Sequence, residues 1–343
     1  MSRLFIKRTA LLALIVLSSV VTFAQRTAEL PQKKEWKDQS KHTVRFVTVA
    51  PNIQLEVLDW GGLGRPVVLL TGYGNSAHVF DEFAEKLSET NHVYGITRRG
   101  FGYSTHASSG YDVQRLAQDV LNVLDALKIA SPVLAGHSYG GKEMTILGKR
   151  ADRIAGLVYL DALSDPTYDF SEHNAIRARR PPERYPTPPP PRYHPGFEEY
   201  MKWQHFGRST PFPEGEIRAM TETTPDGKMG ERRIAPKIGE AIGAGMGKPD
   251  YASIRVPALA FAAYPVPVED QLQNYEIRND QDRKALEDLY AADQKYLSQF
   301  IGDFQTAVPT ARVIKMYGAN HCIFISNQTD VLFEMRAFMS RLR

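Results

Sequence analysis

The sequence predicts an α/β protein whose mostly parallel sheet is flanked by helices and interrupted by one long insertion. Three observations support this fold class. From residue 66 onward, short apolar runs typical of strands buried on both faces alternate with segments of helical periodicity. Residues 43–49 and 53–58 instead alternate apolar and polar side chains, which predicts an opening antiparallel pair. The alternation stops near residue 162 and resumes near residue 255, which favours an insertion over a second domain.

The individual elements follow from the same patterns. Strands are predicted at residues 66–70, 92–96, 133–135, 157–160, 256–262 and 311–316. Helices are predicted from about residue 112, at residues 138–149, at 283–300 and from about 329 to 338. The first of these helices has apolar side chains at three- and four-residue spacing, namely Leu116, Val120, Val123 and Leu127. A proline-dense tract at residues 181–195 cannot form an uninterrupted helix and is expected to be extended.

The first residues have the order of an export signal. Basic residues precede an apolar run at residues 9–23, and small residues follow. The run is shorter than the roughly 17–25 residues that a membrane span requires. We therefore expect a signal peptide at residues 1–24, a flexible lead at 25–42, a core in two parts at 43–161 and 255–343, and a mainly helical cap inserted at 162–254. The mature protein is expected to be periplasmic or secreted, with no stable membrane anchor.

The charge balance argues against a nucleic-acid partner. The chain carries 42 Lys and Arg against 39 Asp and Glu, a formal net charge of +3. The three excess cations, Arg3, Lys7 and Arg8, lie in the expected signal, which contains no acid, so the remaining chain is neutral. The single cysteine, Cys322, excludes an intrachain disulfide. The sequence shows no metal-binding spacing, and we expect neither a metal nor a cofactor.

The segment Gly136-His137-Ser138-Tyr139-Gly140 matches the pattern G-x-S-x-G. It follows a predicted strand and opens a predicted helix, which is the setting of a nucleophile elbow. The serine of such an elbow occupies a sharp turn, where side chains at Gly136 or Gly140 would collide with neighbouring backbone. Ser138 is therefore the candidate nucleophile, and the alternative is an ordinary glycine-containing turn. His137 is expected to point away from the reaction.

A serine nucleophile needs a general base, because a free hydroxyl reacts poorly at neutral pH. Among nine histidines, His321 is best placed, since it follows the last predicted strand on a loop that can reach the carboxyl edge of the sheet. An oxyanion hole needs backbone donors. We expect these to be the N–H of Tyr139, directly after the nucleophile, and the N–H of Tyr73, in the glycine-flanked turn after residues 66–70.

Four segments in this order resemble the α/β-hydrolase family, in its capped branch of esterases, epoxide hydrolases and dehalogenases. The resemblance covers roughly residues 43–341 and is carried by residues 70–74, 99–104, 136–140 and 320–321. It implies an eight-stranded type of sheet with an inserted cap. Thr71 replaces the usual histidine of the oxyanion turn, and Thr97 stands where a D-x-R-G-x-G-x-S turn usually has aspartate. Neither departure touches the predicted backbone donors.

The resemblance leaves the third member of the catalytic triad open. The family usually places this acid after the strand predicted at residues 256–262, but the first acids there, Glu269 and Asp270, come a few residues late. Some relatives place it at the end of the preceding strand, where Asp161 follows. A carboxylate at that point could orient the imidazole and stabilise its cation, although aspartate also occurs there as a structural residue. Asp161 is the first candidate, and Glu269 and Asp270 are the alternatives.

Serine at the nucleophile position indicates acyl transfer, because the resembling enzymes that open epoxides or displace halide use aspartate there. We therefore expect an exported, cofactor-free serine hydrolase that cleaves an ester, thioester or lactone of a small molecule with an apolar part, through an acyl-enzyme on Ser138. The alternatives are a peptidase or C–C bond hydrolase with the same triad, and a non-catalytic ligand-binding protein on the hydrolase fold. Aromatic residues of the insertion are expected to form its own small core rather than a substrate pocket: Tyr185, Tyr193, Phe197, Tyr200, Trp203 and Phe206.

Overall fold

The computed structural model describes residues 36–191, 195–206, 210–234, 236–245 and 247–342. The predicted signal peptide, residues 25–35 of the predicted lead and Tyr193 lie outside these ranges. The compact unit that carries the site spans residues 39–343. Among the described helices, none is both long enough and apolar enough to cross a bilayer.

Ten strands are present in the described residues: β1 (Thr43–Ala50), β2 (Ile53–Gly61), β3 (Pro66–Leu70), β4 (His92–Ile96), β5 (Val133–His137), β6 (Gly156–Leu160), β7 (Thr221–Thr223), β8 (Met229–Arg232), β9 (Ala258–Tyr264) and β10 (Arg312–Tyr317). Eight of them form one sheet in the order β1-β2-β4-β3-β5-β6-β9-β10. The pairs β1–β2 and β2–β4 are antiparallel, and all other pairs of this sheet are parallel. β7 and β8 form a separate antiparallel hairpin.

The helices in the described residues are α1 (Asp81–Leu87), α2 (Val113–Ala126), α3 (Gly140–Leu147), α4 (Ser171–Arg177), α5 (Phe197–Trp203), α6 (Glu214–Met220), α7 (Pro236–Ala244), α8 (Val268–Gln271), α9 (Asp280–Ala307), α10 (Ile323–Ser326) and α11 (Gln328–Met339). α2 begins where its sequence predicts, because the Asp112 side chain accepts a hydrogen bond of 2.9 Å from the Arg115 N–H.

Two apolar layers cover the sheet, one on each face. β3 shows how the layers arise, since successive side chains of a strand point to opposite faces. Val68 and Leu70 pack in the layer formed by α2, α3 and α9, and Val67 and Leu69 pack in the layer formed by α1, α10 and α11. All four side chains are buried. The predicted fold class, a mostly parallel eight-stranded sheet between helices, is confirmed.

Several predicted boundaries are corrected by the structure. α3 begins at Gly140 rather than at Ser138, because Ser138 has a left-handed backbone with φ of 50°. α9 has 28 residues and begins at Asp280, before the predicted residue 283, because the Asn279 side chain caps it. The strand predicted at residues 256–262 is Ala258–Tyr264. α1 was not predicted.

The insertion, residues 162–254, lies between β6 and β9 and contains α4, α5, α6, the β7–β8 hairpin and α7. It has its own small apolar core of Phe197, Ile217 and Met229, against which Tyr200 packs. Phe197 and Tyr200 therefore lie in the core of the insertion, as expected. Tyr185 and Phe206 are exposed instead, and the hairpin shows that the insertion is not wholly helical.

Candidate active site

Ser138 occupies the turn between β5 and α3, and its φ of 50° lies in the left-handed region. Its N–H donates to the Leu160 carbonyl at 3.3 Å. A Cβ atom on Gly136 would lie 2.8 Å from the carbonyl carbon of Gly140, and one on Gly140 would lie 2.6 Å from the Leu70 carbonyl oxygen. No real Cβ atom tolerates such contacts with backbone, so both glycines are needed for this turn.

Asp161 and His321 meet at the same edge of the sheet as Ser138. β5 and β6 pair in parallel with His137 opposite Leu160, so Ser138 and Asp161 are the first residues beyond two neighbouring strands. One Asp161 oxygen accepts the Ala263 N–H at 2.8 Å, and the other lies 2.6 Å from Nδ1 of His321. An ionised carboxylate can only accept, so Nδ1 carries the proton and Nε2 keeps the lone pair that a general base requires.

The described contacts join neither of the other two candidate acids to His321. Glu269 and Asp270 belong to α8, and both are exposed. The Glu269 carboxylate lies 3.2 Å from the Arg283 guanidinium, which makes it a surface ion-pair partner. The structure therefore brings Asp161, and neither of these two acids, to the imidazole of His321.

Both predicted oxyanion donors lie on segments next to the elbow. Tyr139 is the residue at which α3 opens, with helical φ and ψ of −57° and −32°. Tyr73 lies on the loop that follows β3, referred to below as loop 71–76, and β3 is the neighbour of β5 in the sheet. The phenol ring of Tyr73 is half exposed and packs edge-to-face on Phe101 at 5.8 Å between centroids.

The arrangement of sheet, elbow and acid–histidine pair agrees with a match to a known family. Residues 67–334, more than half of the chain, match the sequence profile of the alpha/beta hydrolase family. The chain belongs to the alpha/beta hydrolase family.

Individual relatives match this alpha/beta hydrolase over shorter stretches. It is 32% identical to the non-heme chloroperoxidase of Burkholderia pyrrocinia over 126 residues, which are 34% of this chain and 45% of that protein. It is 31% identical to the bifunctional esterase/perhydrolase DCH of Acinetobacter calcoaceticus over 122 residues, 34% of this chain and 44% of that protein. The chain thus spans less than half the length of these curated relatives.

A solved structure agrees over nearly the whole fold. The crystal structure of E-2-(acetamidomethylene)succinate hydrolase superposes with a TM-score of 0.64 and 17% sequence identity. The superposition covers 87% of this chain and 99% of the other. At this identity the likeness shows a shared fold.

Arg98 anchors the start of loop 71–76, a role that sequence reasoning missed. Its buried guanidinium donates to the carbonyl of Thr71 at 2.8 Å and to that of Gly72 at 3.3 Å. In a trans peptide the C=O and the next N–H point in opposite directions. Because Arg98 binds the Gly72 carbonyl on one side, the Tyr73 N–H is directed to the other side.

A carboxylate on α3, the helix that follows the nucleophile, balances the charge of Arg98. Nε of Arg98 donates to the Glu143 carboxylate of α3, and the guanidinium lies 4.8 Å from the centroid of the Tyr139 ring. Burial raises the pKa of Glu143, while the adjacent Arg98 charge opposes that rise. One arginine therefore connects loop 71–76 with α3, the two elements that carry the predicted oxyanion donors.

His137 is expected from the sequence to point away from the reaction, but in the structure its ring contacts the His321 loop. Its Nε2 lies 3.0 Å from the His321 carbonyl oxygen, and the two rings are 4.6 Å apart between centroids. Burial, with a smaller contribution from the neighbouring His321, lowers the pKa of His137 to about 3. The ring is therefore neutral at ordinary pH and donates from Nε2 to a carbonyl, which can only accept.

A cavity of about 830 Å³ opens beside the His321 loop. Its lining includes Tyr264, Val266, Tyr296 and Leu297, together with Asn320 from the turn before His321. Burial, with smaller contributions from the charges of Asp293 and Asp161, raises the pKa of Tyr296 to about 12. Since Gly318, Ala319 and Asn320 also line the cavity, one side of it lies next to the turn that carries His321.

Proposed function

We propose that this protein is a serine hydrolase that cleaves an ester-type bond (ester, thioester or lactone) of a small molecule through an acyl-enzyme on Ser138. The observation that carries the proposal is the hydrogen-bonded His321–Asp161 pair, which lies at the same sheet edge as a serine held on a strained elbow. The relative named as an esterase/perhydrolase supports the same chemistry.

The proposed mechanism assigns one step to each group. Ser138 Oγ attacks the carbonyl carbon while Nε2 of His321 removes its proton. Asp161 stabilises the imidazolium that forms, and the N–H groups of Tyr73 and Tyr139 bind the oxyanion. The tetrahedral intermediate collapses, and the leaving alcohol takes the proton from His321. Water, activated by the same imidazole, then attacks the acyl-enzyme and releases the acid.

The cavity beside the His321 loop supports a substrate with an apolar part. Tyr264, Val266, Tyr296 and Leu297 form an apolar part of its wall, and polar or acidic side chains such as Asp270, Gln271 and Asn274 form another part. Apolar side chains are the part of a ligand pocket that buries an apolar chain, while polar groups fix its orientation. We propose that the apolar part of this wall binds the acyl or alcohol chain while the carbonyl lies over Ser138.

The test is hydrolysis of p-nitrophenyl esters from acetate to decanoate by the unmodified protein, Ser138→Ala and His321→Ala. Each variant should lose activity by about 10³-fold or more, because triad members act as a unit. Glu269→Gln, a matched change of a surface acid, should retain full activity. Normal turnover by Ser138→Ala would contradict the proposed mechanism.

We also propose that residues 1–24 direct export and are then removed, on the pattern of basic, apolar and small residues described above. Fractionation of a bacterial host that expresses the full chain, with N-terminal sequencing of the product, tests this. A product that begins near Gln25 outside the cytoplasm is expected. An uncleaved chain in the cytoplasm would contradict it.

A further inference from the structure

Glu216 is a buried carboxylate carried into the core of the molecule by the insertion. It lies on α6 (Glu214–Met220), and only 1% of its surface is exposed. Burial of a carboxylate is unfavourable unless several donors satisfy it. Burial accordingly raises the pKa of Glu216 to about 7, although hydrogen bonds from Ser76 and Asn75 oppose the rise.

Within the described part of the chain, the donors to this carboxylate come from two consecutive residues of loop 71–76. The Ser76 N–H lies 3.1 Å from each Glu216 oxygen. The Asn75 side-chain amide donates at 2.9 Å, and the Ser76 hydroxyl donates as well. A single side chain of the insertion thus holds the end of the loop through both backbone and side-chain groups.

Loop 71–76 is therefore held at both ends, with Tyr73 between the two anchors. Arg98 binds the carbonyls of Thr71 and Gly72 at one end, and Glu216 binds Asn75 and Ser76 at the other. Arg98 lies in the turn that follows β4, outside the insertion, whereas Glu216 lies on α6 of the insertion. The conformation of loop 71–76, and with it the direction of the Tyr73 N–H, therefore depends on the position of the insertion.

The insertion also packs on the outer side of this loop. A Cβ atom on Gly239 of α7 would stand 2.3 Å from the Tyr73 hydroxyl oxygen, so the phenol lies directly against the backbone of that helix. The Tyr103 hydroxyl donates to the Arg218 carbonyl of α6 at 3.3 Å. The insertion thus contacts loop 71–76 through α7 as well as through Glu216 of α6.

We propose that Glu216 is a positioning residue that couples the insertion to the oxyanion hole by holding loop 71–76 in its reactive conformation. The inference rests on the proposed function for its effect on catalysis. Since Glu216 binds only protein donors in the described contacts, its loss lowers the rate of the chemical step and leaves substrate affinity nearly unchanged.

The experiment compares Glu216→Ala, Glu216→Gln and the control Glu214→Ala in ester hydrolysis. Glu214 also lies on α6, but its carboxylate forms an ion pair with Arg218, one helical turn further along. Replacement of Glu214 by alanine should therefore leave kcat unchanged. Glu216→Ala should lower kcat by about tenfold to a hundredfold with KM within about threefold, since loss of one oxyanion donor costs about 10²–10³. Glu216→Gln keeps an acceptor oxygen for the Ser76 N–H and should recover most of the loss.

Two results would overturn the inference: a folded Glu216→Ala protein with the kcat of the unmodified protein, or a Glu216→Gln protein as slow as Glu216→Ala. If Glu216→Ala does not fold, Asn75→Ala removes one of the same hydrogen bonds from the loop side and should show a smaller loss of kcat at constant KM. An unchanged kcat in that variant would count against the inference equally.

A measurement without substrate separates this inference from the proposed function. Hydrogen-exchange mass spectrometry should show faster amide exchange of residues 72–77 in Glu216→Ala than in the unmodified protein and Glu214→Ala. Unchanged exchange would overturn the anchoring role whatever the activity. If the unmodified protein hydrolyses no ester, the proposed function fails, while faster exchange in the variant still supports the anchoring of the loop by Glu216.

Discussion

Ser138 and Asp161 share an uncommon backbone conformation at neighbouring strand ends. Their φ angles are 50° and 48°, in a region that non-glycine residues enter only at some energetic cost. In each case the chain turns sharply on leaving a parallel strand, and the side chain is directed to the carboxyl edge of the sheet. The two strained turns thus bring the nucleophile and the acid to one edge, and the surrounding fold has to offset the strain.

Asp161→Asn tests whether the carboxylate oxygen next to Nδ1 of His321 orients the imidazole. Asparagine has a single acceptor oxygen, which the Ala263 N–H would bind, so its NH₂ group would face Nδ1 of His321. The imidazole would then hold its proton on Nε2 and could not act as a base. We expect kcat for ester hydrolysis to fall by about 10²–10⁴-fold, by analogy with other triads.

Two control variants belong to this measurement. Glu269→Gln and Asp270→Asn change exposed carboxylates of α8, and both should retain the kcat of the unmodified protein. Asp270 also lines the cavity beside the His321 loop, so KM is the parameter that its replacement would alter. A thermal melt shows whether Asp161→Asn is folded. A folded Asp161→Asn protein with normal kcat, or a comparable loss in either control, would exclude Asp161 as the orienting acid.

At the scale of elements, the Arg98–Glu143 ion pair connects loop 71–76 with α3. Both side chains are about 4% exposed, and removal of one partner from such a pair leaves an uncompensated buried charge. We expect Arg98→Met to lower the free energy of unfolding by about 3–5 kcal/mol. Urea unfolding followed by tryptophan fluorescence measures this change.

The double variant Arg98→Met/Glu143→Gln separates stability from positioning. Because no buried charge is left alone, it should recover much of the lost free energy of unfolding. Its kcat should stay low, since the carbonyls of Thr71 and Gly72 have still lost their donor. Recovery of both stability and kcat would show that Arg98 has only a structural role.

Local patterns predicted the elements but not the contacts between distant ones. The elbow could be recognised because its glycines and serine are consecutive, and the strands because their burial produces apolar runs. Glu216, in contrast, is 140 positions from Ser76 in the chain, and an acid on a short helix is ordinarily on the surface. Nothing in its sequence neighbourhood distinguishes it from Glu214, which is partly exposed.

One departure from the family pattern is explained by a long-range contact. Thr97 stands where aspartate is usual, and its hydroxyl donates to the Glu56 carboxylate of β2 at 2.7 Å. The same hydroxyl oxygen accepts the Ala77 N–H at 2.9 Å. Glu56 thus supplies a carboxylate at this turn from another strand. A single sequence cannot reveal such an exchange, because the two positions are 41 residues apart.

At the scale of the whole molecule, a buried ion cluster makes stability depend on pH. The imidazole of His78 lies 3.4 Å from the carboxylate of Glu56 and 3.4 Å from that of Asp81. Burial opposes the charge on His78, but the two carboxylates outweigh it and raise its pKa to about 10. The folded protein therefore binds this proton more tightly than the unfolded chain does.

The resulting stabilisation is complete below the unfolded pKa of 6.5 and is lost as pH rises toward 10. Between pH 7 and pH 9 the free energy of unfolding should fall by about 2–3 kcal/mol, at 1.36 kcal/mol per pH unit over most of this range. Urea unfolding at pH 7, 8 and 9 measures this decline. The His78→Asn variant should not show this fall in the free energy of unfolding. If the variant shows the same fall, titration of other groups is responsible for it.

Covalent labelling asks whether Ser138 is an activated nucleophile. The purified protein is treated with a fluorophosphonate, weighed intact and digested to map the modified peptide, with Ser138→Ala as the control. We expect a single adduct, located on Ser138 and missing from the control. A folded protein that gains no adduct, or gains it at another residue, would rule out the proposed acyl-enzyme mechanism on Ser138.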